Sequence, residues 1–189
     1  LLSRHDVLVY DSESHACMID GARLHHGKRF VFKHNDMESF EKQLEHARRI
    51  TETTGGGIMV MTEGVFGMAG DQGKLKEICE YKEKYNFRLF VDDAHGFATM
   101  GRRGEGTLGL LEEMPERLIY VGSLSKAIPG HGGFVACGDE IKDRIRFLSG
   151  QYAFSSAITH ISAEISATAC SIVGSSRWRR QVERMESLW

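Results

Sequence analysis

Apolar residues recur along the chain in two rhythms. Met37, Phe40, Leu44 and Ala47 fall three or four positions apart, which predicts one face of a helix, with Asp36 placed to cap it. Leu75, Ile78, Cys79 and Tyr85 predict a second helix, and Ile141, Ile145 and Leu148 a third. Ile158, Ile161, Ile165 and Ile172 predict a longer one. Ser176 is placed to cap a last helix carrying Trp178, Val182, Met185 and Trp189 on one face. Between these lie short, largely apolar runs at residues 7–10, 58–61, 88–91, 118–121 and 134–137, each the length of a buried strand. The glycines at 55–57 read as a loop entering the strand at 58–61.

Strands alternating with helices predict an α/β fold. The strand at 58–61, its helix and the strand at 88–91 together have the size of a right-handed βαβ crossover, about 30 residues. The gap between 118–121 and 134–137 is too short for a helical crossover, so that pair is expected to be antiparallel. The expected architecture is a mixed, mostly parallel sheet flanked by helices, without an internal linker or repeat.

Charge and composition narrow the function classes. A net charge of -2 leaves no basic footprint for nucleic acid and no polybasic membrane patch. No apolar run approaches the roughly 20 residues needed to cross a bilayer, so no stable membrane anchor is expected. Cys17, Cys79, Cys137 and Cys170 are widely spaced, with no Cys-x-x-Cys, and are expected to be reduced, small, buried apolar groups in a cytoplasmic protein. The chain opens on Leu1 rather than Met and stops at Trp189 on an apolar helical face, which reads as a fragment.

In an open α/β sheet, ligands sit beyond the carboxyl ends of the strands. There the chain places Thr62-Glu63-Gly64, then Asp92-Asp93-Ala94-His95-Gly96, then Gly122-Ser123-Leu124-Ser125-Lys126. The serine-hydrolase elbow, the Walker phosphate loop, the dinucleotide glycine fingerprint and His-Glu-x-x-His are all absent from the sequence, and no metal site is expected. A lysine facing a carboxylate across neighbouring strand ends suits pyridoxal phosphate. The lysine forms the Schiff base, and the carboxylate keeps the pyridine nitrogen protonated. Ser123 and Ser125 are placed to donate to the phosphate. This reading requires the ammonium of Lys126 and the carboxylate of Asp92 to face one shared cavity.

At these residues the sequence resembles the α-oxoamine synthases, pyridoxal-phosphate enzymes of the fold-type-I aminotransferase superfamily. The matching segments are 11–21, His34-Asn35-Asp36, 62–71, 91–96, 122–126 and Gly132-Gly133-Phe134, in the family's order over nearly the whole chain. The resemblance implies that residues 1–189 are the central part of the cofactor-binding large domain, lacking an N-terminal phosphate turn and a C-terminal small domain. It implies an acyltransferase that condenses serine or glycine with an acyl-CoA, with decarboxylation. By the same resemblance, Lys126 matches the Schiff-base lysine, Asp92 the partner of the pyridine nitrogen and His95 the residue near the ring's phenolic oxygen. His15 matches the histidine stacked on the ring and Ser123 a phosphate-binding hydroxyl. Ser155 matches, more loosely, a residue reaching the phosphate of the neighbouring subunit's cofactor, which implies a homodimer with shared sites. Gly67 departs from the family's usual serine, and residues 127–131 after the lysine are unusual.

Asp93 and Glu63 read as structural, and His25, His26, His34 and His131 as structural or exposed. Two other functions stay open on the sequence: an aminotransferase or lyase of the same fold, and an inactive truncated homologue that keeps only the scaffold.

Overall fold

The computed structural model describes residues 1–187. In chain order the elements are β1 (Val7–Asp11), α1 (Ala16–Arg23), β2 (Lys28–Phe32), α2 (Met37–Thr54), β3 (Ile58–Glu63), α3 (Leu75–Glu80) and α4 (Lys82–Tyr85). They continue with β4 (Arg88–Asp92), a 3-10 turn (Thr107–Leu110), β5 (Leu118–Ser123), β6 (Gly133–Cys137), α5 (Asp139–Leu148), α6 (Gly150–Ala153), α7 (His160–Ile172) and α8 (Ser176–Glu186). The strands form one sheet in the order β2-β1-β3-β4-β5-β6. Every pairing is parallel except β5 with β6, which is antiparallel as the short connection requires.

The central strands are unbroken apolar runs because both faces of the sheet are covered; every residue of β3 is buried. On one face Val7, Val9, Val60, Leu89 and Val91 meet Phe40, Leu44 and Ala47 of α2 and Ile78 of α3. Phe32 and Phe40, both buried, pack with ring centroids 4.9 Å apart. On the other face Leu8, Met59, Met61 and Ile119 meet Met18 and Ala22 of α1 and Ile141 of α5. Asp36 caps α2 by accepting from the Ser39 amide at 2.9 Å, and Gly55 ends it at φ 70°, a left-handed conformation that costs a glycine little.

Several expectations need correction. The helix expected from Leu75 to Tyr85 divides at Tyr81 into α3 and α4, and Asn86, left-handed at φ 48°, ends the second. The cap of α8 is Ser175, whose Oγ accepts from the Trp178 amide at 3.2 Å; Ser176 is already helical. Trp189 lies outside the described residues. The isoleucines that mark α7 are largely exposed, Ile158 lies before its start, and the one buried residue of that helix is Ser166. Cys17 and Cys170 are exposed, because the first turn of α1 opens onto the sheet end and α7 carries little over its outer face; all four thiols are free. Strand β2 and helix α1 carry too weak a pattern to be anticipated. Among the described residues no helix is long and apolar enough to cross a membrane.

Candidate functional site

The parallel register sets the site. Glu63 on β3 pairs with Asp92 on β4, so both side chains leave the sheet on the same face. Asp92 pairs in turn with Val121 on β5. This face holds a cavity of about 480 Å³ lined by Met61, Phe90, Asp92, Val121, Cys17 and Met18 among others. Asp93 points the opposite way. It is fully buried and accepts from the Tyr120 hydroxyl and the Thr107 amide, each at 2.7 Å, which makes it a core fastener, as the sequence suggests. Burial pushes its carboxyl upward, against the pull of those two donors.

His15 stands at the N-cap of α1, and its Nδ1 accepts from the Cys17 amide at 3.2 Å. A capping Nδ1 must be unprotonated, which leaves the ring proton on Nε2 and aims a donor away from the helix. The His15 amide donates to Glu63 Oε1 at 2.5 Å. Glu63 is 5% exposed. Burial raises its carboxyl to about 7, with Asp92 adding to the rise and the His15 amide and Lys126 opposing it. Sequence reading leaves Glu63 structural; the signal was a carboxylate closing an otherwise apolar strand.

Beyond β5, the Ser123 and Ser125 hydroxyls lie 3.0 Å apart, and the Ser125 amide donates to Ser123 Oγ. Leu124 ties this loop to Gly132 and Gly130 through backbone bonds of 2.9 and 2.8 Å, and buried Ile128 anchors it. Lys126 Nζ lies 2.7 Å from His95 Nε2. Burial, and then the charge of Lys126, holds His95 below the usual imidazole range, so the neutral ring accepts from the lysine. A Cβ at Gly67 would overlap the His95 ring, so the missing serine leaves the space this imidazole fills. One expectation changes here. Lys126 is exposed and does not line the cavity that Asp92 lines, so the two share no enclosed cavity; they meet instead at the open strand-end cluster, where the charges of both act on His95 and on Glu63 and the amine contacts the His95 ring. Ser155 is exposed in the loop after α6 and is not brought to this cluster.

Behind the site, His34 bridges two carboxylates. Its Nδ1 lies 2.9 Å from Asp11 Oδ1 and its Nε2 lies 2.8 Å from Asp71 Oδ2. Asn35, at φ 51°, adds bonds to Asp71 and to the Gln72 carbonyl, so the loops after β1, β2 and β3 are stapled together. Both ring nitrogens donate only in the imidazolium form. Burial opposes that charge, but the bonds to Asp11 and Asp71 outweigh it and the His34 pKa rises above 6.5. The folded state therefore binds this proton more tightly than the unfolded chain does. The stabilisation is complete below pH 6.5 and fades as pH climbs through the raised value. In urea melts His34→Gln is expected to cost about 1–3 kcal/mol at pH 6, and the gap to wild type narrows at higher pH. A gap that stays constant with pH refutes the charged bridge.

A family model described as aminotransferase class I and II matches residues 1–185. The chain belongs to the class I and II aminotransferase family. Among its relatives in this family, a cysteate-C-fatty acyltransferase of Capnocytophaga ochracea is 55% identical over 148 residues, covering 78% of this chain and 35% of the relative. A serine palmitoyltransferase of Bacteroides ovatus is 33% identical over 192 residues, covering 100% of this chain and 45% of the relative. A solved serine palmitoyltransferase of S. paucimobilis superposes with a TM-score of 0.87 over 99% of this chain and 45% of that one; at 24% identity this shows the shared fold. The chain thus spans less than half the length of these relatives. The aminotransferase-family fold explains why the site sits where it does: the parallel strands β3, β4 and β5 end at one edge, and their terminal residues supply the carboxylates, the imidazole and the lysine loop.

Proposed function

We propose that residues 1–189 are the central part of the cofactor-binding domain of a pyridoxal 5'-phosphate-dependent acyltransferase, and that its amino acid substrate is cysteate. The overall reaction joins the amino acid to a fatty acyl-CoA. The new carbon–carbon bond forms at the acyl carbon, and CoA and carbon dioxide leave. The observation that carries the reading is the contact of Lys126 Nζ with His95 Nε2 at 2.7 Å, three residues past Asp92 at the end of β4.

The donor set fits the cofactor. Lys126 would hold the aldehyde through Nζ, and Asp92 would face the pyridine nitrogen from the cavity wall. His95 would meet the phenolic oxygen, His15 would cover a ring face, and the Ser123 and Ser125 hydroxyls would meet the phosphate. When bound, the protonated ring supplies a sink for charge developing at the amino acid's α carbon. The neutral His95 ring is placed to accept a proton from Lys126 Nζ. Ser155 would reach the partner subunit's phosphate in a homodimer, with the enzyme working in the cytoplasm. The choice of cysteate over serine or glycine is supported by the 55% identity to a relative named for cysteate, against 33% for one named for serine.

The test is to incubate full-length protein with a fatty acyl-CoA and cysteate, serine or glycine in turn. Free CoA and carbon dioxide are expected in equal amounts, fastest with cysteate. Serine as the fastest substrate overturns the cysteate assignment. A keto acid without free CoA makes the protein an aminotransferase instead.

A further inference from the structure

Glu63 occupies a position that the proposed chemistry leaves unused. Among the described residues it is one of three buried carboxylates, with Asp11 and Asp93, and no cation there is bonded to it. It stands in register with Asp92 on the same face of the sheet. It also accepts, at 2.5 Å, the backbone N–H of His15, the residue that begins α1. His15 is therefore fixed twice: its amide by Glu63, and its ring by the Cys17 amide on Nδ1. The first bond places the residue over the sheet end, and the second turns the ring.

We infer that Glu63 is a positioning residue, whose carboxyl seats His15 over the cofactor site and carries a proton in step with the charge beside Asp92. This rests on the cofactor reading of Asp92 and His15. The groups that face Glu63 are His15 and Cys17 from the head of α1, Asp92 from β4 and Lys126 from the loop after β5, and the charge of Asp11 acts on it from the opposite face of the sheet. Burial does most to raise the Glu63 carboxyl, the His15 amide and Lys126 pull it down, the acids at 92 and 11 push it up, and the balance is about 7. At neutral pH the group is thus balanced between its two forms. A cation arriving against Asp92 favours the ionised form, so cofactor binding should expel part of this proton.

Either form of the carboxyl accepts from the His15 amide through Oε1. Glutamine preserves that acceptor but never ionises, whereas alanine removes it. The experiment follows cofactor affinity by absorbance, and ring seating by the induced circular dichroism of the cofactor band, in full-length wild type, Glu63→Gln and Glu63→Ala from pH 6 to 9. Glu63→Ala is expected to weaken binding about tenfold, the size of one lost hydrogen bond in a partly dry site, and to flatten the dichroism. Glu63→Gln is expected to restore the dichroism and to erase the break in affinity near pH 7. A break from His95 falls below 6.5 and survives in both variants.

Wild-type dichroism in Glu63→Ala overturns the seating role. A break near pH 7 that persists in Glu63→Gln overturns the proton. If Glu63→Ala does not fold, the Glu63→Gln profile decides alone. A wild-type protein that binds no pyridoxal phosphate refutes the cofactor reading itself, a result distinct from either of these.

Discussion

Lys126→Ala in the full-length protein is expected to end covalent capture of pyridoxal phosphate and to lower CoA release by about 10⁴-fold, the upper end of what one positioned proton-transfer group supplies. The expectation follows from what surrounds the amine. The loop that carries it is pinned on both sides by backbone bonds from Leu124 and by buried Ile128, so its course is fixed even though its tip is exposed. Nζ contacts the His95 ring, in a neutral form that can take a proton. Alanine deletes the nucleophile and leaves the loop anchors untouched. The protein should still fold, and the cofactor should still bind weakly through Asp92 and the serines. Borohydride followed by mass spectrometry reads the result directly. The wild-type peptide containing Lys126 gains the pyridoxyl group and the variant gains it nowhere. Labelling at another lysine in wild type refutes the assignment.

How much of this was legible in the sequence depends on the range of the interaction. Strands β3, β4 and β5 declare themselves because a central parallel strand is covered on both faces and is apolar through its middle. The antiparallel β6 follows from loop length alone. β2 hides because it is an edge strand: it opens with Lys28-Arg29 and buries only Phe32, the kind of sequence that protects an open edge. α1 hides because its cap is a histidine and it buries only Met18 and Ala22. The isoleucines of α7 show the opposite error. Helical spacing reveals a helix, but it does not say which face is covered, and here Ser166 is buried while Ile161 is 73% exposed.

The site divides in the same way. That Glu63, Asp92 and the Lys126 loop meet at one edge follows from parallel strands, because their carboxyl ends coincide. That Glu63 and Asp92 share a face depends on register, which no local pattern carries. The seating of His95 in the space left by Gly67 needs coordinates, although the glycine itself is visible in the sequence as a departure from the family. The exposure of Lys126 was not legible either, since a lysine at a strand end reads alike whether covered or open.

The two neighbouring acids at the end of β4 offer the second large effect. Asp92→Asn is expected to leave folding intact and to reduce CoA release by roughly 10³-fold, within the range for a single charge-stabilising group. The amide keeps the size and an acceptor oxygen but loses the charge that holds a pyridine nitrogen protonated, and without that proton the ring is a poor sink. Asp93→Asn is expected to do the reverse. Its carboxylate is fully buried, and one oxygen takes both the Tyr120 hydroxyl and the Thr107 amide. An amide that keeps its oxygen on those donors must bury its NH₂ at the Oδ1 position, which has no hydrogen-bond partner among the described residues, at about 1–3 kcal/mol of stability, while the catalytic face is unaltered. Rates per folded molecule and urea midpoints, measured on both variants, separate the two roles. If Asp92→Asn loses stability and keeps its rate, the strand is turned over and Asp93 is the residue that faces the cofactor.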